Sequence, residues 1–277
     1  MDANFRLKNQ LVSSFSSDPG LGIGMAYMVP REGYDSYVLS RASDADVSFS
    51  LSRLFKALTT TQISTCVGFQ ALAKANSKFS KGLRFTGVGA VSCARSEMVL
   101  PTCVGNLQKG ERYVLLFICL IQQLNVCRYA NMDYIFGRAI RDVSPNIPVV
   151  VSYDIACQWF VNLQKRMDDH WPEDLLPTFP LNMRPQIPAF HEPGHGQAGH
   201  QKYSFKLSWG MGLTDGEGCE RIWAANNALG NATKTQGPGS RQDVIDDHLG
   251  FWNWLKYCGM GKNSLKPFNS LLTLFYR

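Results

Sequence analysis

Four carboxylates on three separated stretches of this chain could act together on a divalent cation. Asp2 lies near the start, Asp154 closes the β-branched run Val149-Val-Val-Ser-Tyr-Asp154, and Glu217 and Glu220 stand in Asp215-Gly-Glu-Gly-Cys-Glu-Arg221. A carboxylate at the end of an apolar strand is costly to bury unless it is hydrogen-bonded, paired or on a metal. Asp154 therefore reads either as a ligand or as the N-cap of a following helix. Glu217 and Glu220 are spaced to share a helix face. Like charges held that close disfavour their own ionisation unless a cation sits between them. The alternative for this turn is surface pairing with Arg221. Asp2, taken alone, reads as a frayed terminal residue.

The histidines form a second grouping. His191, His195 and His200 fall within Phe190-His-Glu-Pro-Gly-His-Gly-Gln-Ala-Gly-His200. Two imidazoles four residues apart suit zinc when both project from one side of a helix. Pro193, Gly194, Gly196 and Gly199 oppose a helix here, no CxxC pair is near, and Cys93 is a possible distant ligand beside His191 and His195. The expectation is a polar loop of satisfied histidines without bound zinc.

The elements that must position these groups read as an α/β arrangement. Residues 11–50 are rich in Ser, Gly and Asp and read as loop, with one apolar piece, Ile23–Val29, of strand character. Leu54, Leu58, Ile63, Val67 and Leu72 recur at helical spacing through Leu51–Lys74. Thr86–Cys93 reads as a buried strand whose glycines permit close backbone approach. A helix is expected over Tyr129–Arg141, a strand over 149–154, and a helix over Ala156–Met167. The Pro-rich stretch 172–193 reads as a connection or insertion. Helices over Gly216–Leu229 and Val244–Tyr257 complete the pattern. A strand that ends in Asp before a helix places that acid where open sheets carry their sites.

Bulk properties set outer bounds. The chain has 277 residues, 45% hydrophobic and 18% charged, enough for one full core and too few charges for long solvating tracts. Lys and Arg outnumber Asp and Glu by 28 to 22, a net charge of +6 that suits a polyanionic partner without requiring one. The start shows no apolar secretory core, and the longest apolar run, Val114–Ile121, is too short to span a membrane. Eight scattered cysteines without CxxC spacing fit buried thiols in a reducing compartment better than a disulfide framework. Trp252 and Trp254, among the basic residues of 241–256, read as a core with a basic rim, or as a surface that stacks on bases.

Ordered blocks along most of the chain resemble the KDZ (Kyakuja-Dileera-Zisupton) transposases common in fungal genomes. They include Asp2-Ala-Asn-Phe-Arg-Leu7, Leu107-Gln-Lys-Gly-Glu-Arg-Tyr113, Tyr129-Ala-Asn-Met-Asp133, Ser152–Trp159, Phe190–His195, Thr214–Trp223, Gly237-Pro-Gly-Ser-Arg241 and Asp246-Asp-His248. The resemblance implies a DDE-type transposase with an RNase H-like α/β fold, acting on the DNA of transposon ends in the nucleus, and it admits a homo-oligomer. It implies Asp2 and Asp154 as the first and second catalytic acids and Glu220 as the third, with Glu217 as the other candidate. These acids would hold Mg²⁺ or Mn²⁺, whose preference is for hard oxygen ligands.

Departures from the family pattern point to a truncated, inactive copy. Cys93-Ala-Arg-Ser96 replaces a Cys-x-Arg-His block, and Gly199 stands where the family has a cysteine. Val114–Arg128 interrupts the family text and reads as a translated intron within a single 1–277 domain, or else as a buried helix or strand. Residues 160–212 read as an inserted or connecting region, and the tail from Lys262 reads as read-through. The first strand is expected to be missing, which would leave Asp2 on a free end, too loose for metal catalysis. Two other classes stay open: a non-catalytic DNA-binding or structural remnant, and an unrelated metal-dependent hydrolase using Asp154, Glu217 and Glu220.

Overall fold

The computed structural model describes residues 1–21, 26–41, 82–108, 125–196 and 198–275. Its centre is a four-stranded antiparallel sheet. β1 (Asp2–Asn4) and β2 (Asn9–Gln10) pair in turn with one edge of a long central strand, β3 (Leu83–Ser92). β4 (Val99–Gln108) pairs with the other edge of β3. Helix α1 (31–41) precedes β3, and α2 (Asn125–Ile140) follows β4. A separate parallel pair consists of β5 (Val149–Ser152) and β6 (Met183–Gln186). Between these two strands lie α3 (Ala156–Trp159) and α4 (Leu163–His170). The chain closes with α5 (Gly218–Asn226), α6 (Leu229–Thr233) and α7 (Pro238–Phe275).

β3 is buried along nearly its whole length because helices cover both faces of the sheet. On one face, Val91, Cys103 and Leu107 meet Tyr34, Tyr37 and Val38 of α1 and Met132, Ile135 and Phe136 of α2. On the other, Val88, Ala90, Val99 and Val104 meet Ile222 and Trp223 of α5 and Ile245 and Leu249 of α7. This alternation along β3 is the period-2 signature of a strand between two apolar layers. Gly87 permits the close approach expected of this strand: a Cβ there would lie 2.5 Å from the Asn4 carbonyl oxygen. The two sheets meet where the Met1 α-amine donates to the Ser152 carbonyl at 2.7 Å, so β1 starts beside the end of β5.

Several expectations are met, and others are corrected. The strand over Thr86–Cys93 is β3, the strand over 149–154 is β5, and the helix over 129–141 is α2, begun one turn earlier. Residues 31–41, expected as loop, form α1, because Tyr34, Tyr37 and Val38 present one buried face at helical spacing. Of Ile23–Val29, only 26–29 are described, and they contribute an isolated bridge from Met28 to Val104 rather than a strand. The helix expected over 156–167 breaks in two, since Asn162 adopts a left-handed φ of 61°. The stretch 172–193 supplies a strand, β6, within the longer 160–212 region. The last helix runs well past Tyr257 to Phe275. The helix over 51–74 and the run 114–124 lie outside the described residues, while 125–128 belong to the first turn of α2.

A candidate metal centre of four acids

Asp2 does not hang from a free end. It sits in β1, is only 8% exposed, and accepts a 2.7 Å hydrogen bond from Trp223 Nε1 of α5. The expectation of a missing strand and a loose Asp2 is thereby corrected: pairing with Ala90 of β3 and the indole from α5 fix the residue from two sides. Asp154 follows β5 by two residues, at the turn into α3. It is not the N-cap of that helix, a position that Ile155 holds without a side-chain hydrogen bond.

Glu217 and Glu220 reach the same place from the start of α5. Their turn is built around Gly216, whose φ is +77° and whose Cβ would fall 2.5 Å from both the Phe205 ring and Ser152 Oγ. Ser152 Oγ in turn donates to the Gly216 carbonyl at 2.9 Å, tying the end of β5 to the turn before α5. Asp215 faces elsewhere: it takes Arg221 Nη1 at 2.7 Å and Nη2 at 3.1 Å, and Arg221 also pairs with Glu97. Arg221 therefore neutralises Asp215 and Glu97 rather than Glu217 or Glu220.

His191 lies among the acids. Its Nε2 is 3.5 Å from Asp154 Oδ2 and 3.7 Å from Glu220 Oε1, and its Nδ1 is 3.6 Å from Glu217 Oε2. One ligand atom each from Asp154, His191 and Glu220 lie within 4.8 Å of one another. The buried Nδ1 has no hydrogen-bond partner among the described residues. The two glutamates are placed differently. Glu217 Oε1 accepts the Phe190 N–H at 2.6 Å, so it anchors the loop that carries His191. Glu220, with a half-exposed side chain, directs an oxygen at the cluster without such a bond.

The electrostatics show what this arrangement lacks. Burial pushes the Asp2 carboxyl well above the ordinary range, with Asp154 and Glu220 adding repulsion. Asp154 is pushed up to about 7, first by burial and then by the charges of Glu220 and Glu217, against the opposing pull of the Met1 amine. Two neighbouring acids that both resist ionisation are the pattern a cation would relieve.

The structure thus gathers Asp2, Asp154, Glu217 and Glu220, while Cys93, just past the end of β3, joins neither His191 nor His195 in a ligand group among the described residues. Two participants were missed in the sequence. His191 reads in the sequence as a zinc ligand or a satisfied loop histidine, and Trp223 enters only as part of the Glu-Arg-x-Trp helix that favours Glu220, not as a partner of Asp2. The signal for Trp223 was its i,i+3 spacing from Glu220, which puts both on the face of α5 turned to β1.

A family model described as Kyakuja-Dileera-Zisupton transposase matches residues 1–127 and 126–253, two stretches that together cover the β1 acid, the β5 acid and α5. No curated protein and no solved structure matches the chain.

Proposed function

The chain belongs to the Kyakuja-Dileera-Zisupton transposase family, and from that premise we propose that its four acids form the divalent-metal centre of a DDE-type DNA strand-cleaving and strand-transferring enzyme with an RNase H-like core. The observation that carries this reading is the convergence of Asp2, Asp154 and Glu220 from β1, β5 and α5, where burial first and then neighbouring acids, Asp154 and Glu220 around Asp2 and Glu220 around Asp154, disfavour the ionised form of each aspartate. The strand arrangement is compatible with the RNase H-like assignment: β4, β3 and β1 run antiparallel, and the separate parallel pair β5 and β6 starts beside β1 through the Met1 amine and the Ser152 carbonyl.

The donor set fits Mg²⁺ or Mn²⁺, since it is dominated by hard carboxylate oxygens, with His191 Nε2 facing Asp154 and Glu220. Asp154 and Asp2 would hold the metal from the sheet, and Glu220 would complete the set from the helix. When bound, such ions activate a water or 3′-hydroxyl and stabilise the leaving oxygen at a phosphodiester. The remaining work belongs to the protein. Trp223 fixes the orientation of the Asp2 carboxylate, Glu217 pins the 190–191 backbone so that His191 faces the acids, and the Ser152–Gly216 bond locks β5 to α5. His191, with Nε2 beside both Asp154 and Glu220, helps to orient the two carboxylates.

The partner is DNA, and the net charge of +6 supports a polyanion despite the acidic centre. A transposase of this kind acts in the nucleus. Among the described residues no helix is long and apolar enough to cross a membrane. The test is cleavage of supercoiled plasmid and of labelled duplex in Mn²⁺. The proposal expects strand scission by the wild type and loss in Asp2→Asn, Asp154→Asn and Glu220→Gln. Salt-sensitive DNA binding without any metal-dependent scission would instead support a non-catalytic remnant.

A further inference from the structure

A second group of ligating side chains lies beside the acids without sharing any of them. Cys157 stands on α3, three residues after Asp154, and is buried. His195 and His200 belong to the loop between β6 and α5, four and nine residues after His191. That loop is closed at its base by the Ile187 N–H donating to the Tyr203 carbonyl at 2.8 Å. Gly199, at φ +84°, turns the chain into the short 3-10 helix His200–Tyr203, which brings the third side chain back toward the second.

One ligand atom each from Cys157, His195 and His200 lie within 4.8 Å of one another. Cys157 Sγ is 3.7 Å from His195 Nδ1, and the His195 and His200 rings are 5.6 Å apart between centroids. A thiolate and an imidazole on one tetrahedral zinc, with bonds of ~2.3 and ~2.05 Å, stand about 3.6 Å from each other. The thiol and the imidazole are already at that separation.

We propose that Cys157, His195 and His200 bind one zinc ion, with water in the fourth position, and that this ion positions the acidic centre rather than taking part in its chemistry. The chemistry of the donors separates the two sites: one soft thiolate with two imidazoles selects zinc, and the neighbouring carboxylates select a hard cation. The His195 ring also hydrogen-bonds the Asp154 backbone carbonyl, the outer contact that metal-bound histidines characteristically make. The bound ion would tie the turn after Asp154 to the loop that presents His191, and so fix two members of the acidic centre at once. The expectation of no zinc rested on Ser96 and Gly199 standing where the family has ligand residues, and on the Pro and Gly residues that oppose a helix. The fold supplies Cys157 instead, and His200 through the turn at Gly199. The zinc site stands whether or not the acids cleave DNA.

The test uses the full chain stripped with a chelator and titrated with Co²⁺, whose spectrum reports its ligands. The expected result is one equivalent bound with intense tetrahedral visible bands and a thiolate charge-transfer band in the near ultraviolet. Cys157→Ser should lose the charge-transfer band, and His200→Ala should weaken binding at least tenfold. Asp154→Asn should leave the spectrum unchanged, which separates this site from the acidic one. Weak octahedral bands with no thiolate transition in the wild type would overturn the proposal, as would a thiolate band that survives Cys157→Ser. Metal analysis after dialysis against Zn²⁺ gives a second reading, with about one bound zinc per chain expected and none bound as the contrary result.

Discussion

Two buried acidic sites in this molecule solve the same problem in opposite ways. Asp133 on α2 is fully buried, and Arg166 on α4 answers it with Nε at 2.7 Å and Nη2 at 3.1 Å. Trp159 Nε1 adds a 2.8 Å bond to the same carboxylate, and the guanidinium spends its remaining donors on the Trp159 and Val161 carbonyls. Burial still pushes Asp133 up, but the charge and hydrogen bonds of Arg166 act against it. Asp2 is buried and Asp154 partly buried among other acids, with the Met1 amine as the opposing charge and His191 against Asp154 and Glu220. The first site is complete within the fold and holds α2 to α4. In the second, burial and the neighbouring acids outweigh the Met1 amine, and both carboxyls stay shifted upward.

The largest expected effect breaks the complete site. Asp133→Asn leaves Arg166 buried without its carboxylate and should lower the unfolding free energy by about 3–5 kcal/mol in denaturant titrations. The parallel change in the incomplete site should act the other way. Asp154→Asn removes a repelled charge, so stability in chelator near pH 8 should hold or rise, while Mn²⁺ affinity should fall by about 10²-fold or more. If both variants lose stability equally, the contrast between the two sites fails.

The pH dependence sharpens the same contrast. Asp2 and Asp154 have folded pKa values raised above their unfolded ones, so the protonated forms favour the fold. Their contribution is fully present below the ordinary carboxylate range and is lost as pH rises through about 7. Metal-free melting temperature should therefore fall over that window, and millimolar Mn²⁺ should restore it. Asp133 is raised in the same direction, so the assignment rests on the variant: Asp154→Asn should flatten the slope.

Smaller changes probe the support around the acids. Trp223→Phe deletes the donor to Asp2 and should cost roughly 1–3 kcal/mol in stability, with weaker Mn²⁺ binding seen by calorimetry. Within the Asp-Gly-Glu-Gly turn the two glycines should separate. Gly216→Ala meets a positive φ and two contacts at 2.5 Å, and should cost more than about 1 kcal/mol and loosen Glu217. Gly218 has no neighbour closer than 3.8 Å to a Cβ and opens α5, so Gly218→Ala should be neutral or stabilising by a few tenths of a kcal/mol.

The acidic site was partly legible in the sequence because strand and turn chemistry are local. Val149-Val-Val-Ser-Tyr-Asp154 announces its strand, and Gly216 announces the turn that lifts Glu217 and Glu220. Asp2 was legible only through the family resemblance, since its partner Trp223 is 221 residues away. No periodicity reports a contact across that distance. His191 was hidden by the loop it lies in: histidines four apart evoke zinc, but irregular backbone turns His191 to the acids and His195 to Cys157. β4 escaped notice because Pro101 and the left-handed Thr102, at φ 51°, interrupt its strand pattern. α1 was obscured by the Ser and Asp around its short tyrosine-rich face. The Asn162 break in the helix after Asp154 leaves no mark in hydrophobic spacing, because Leu163 and Met167 stay buried on both readings.

The most direct measurement is Mn²⁺ binding, followed by paramagnetic resonance at constant pH above 7, for the wild type beside Asp154→Asn and Asp133→Glu. Saturable binding by the wild type and Asp133→Glu, lost in Asp154→Asn while that variant melts no lower than the wild type, is the predicted result. Equal Mn²⁺ binding by the wild type and a folded Asp154→Asn would contradict it, because the acids gathered from β1, β5 and α5 would then have no cation to share.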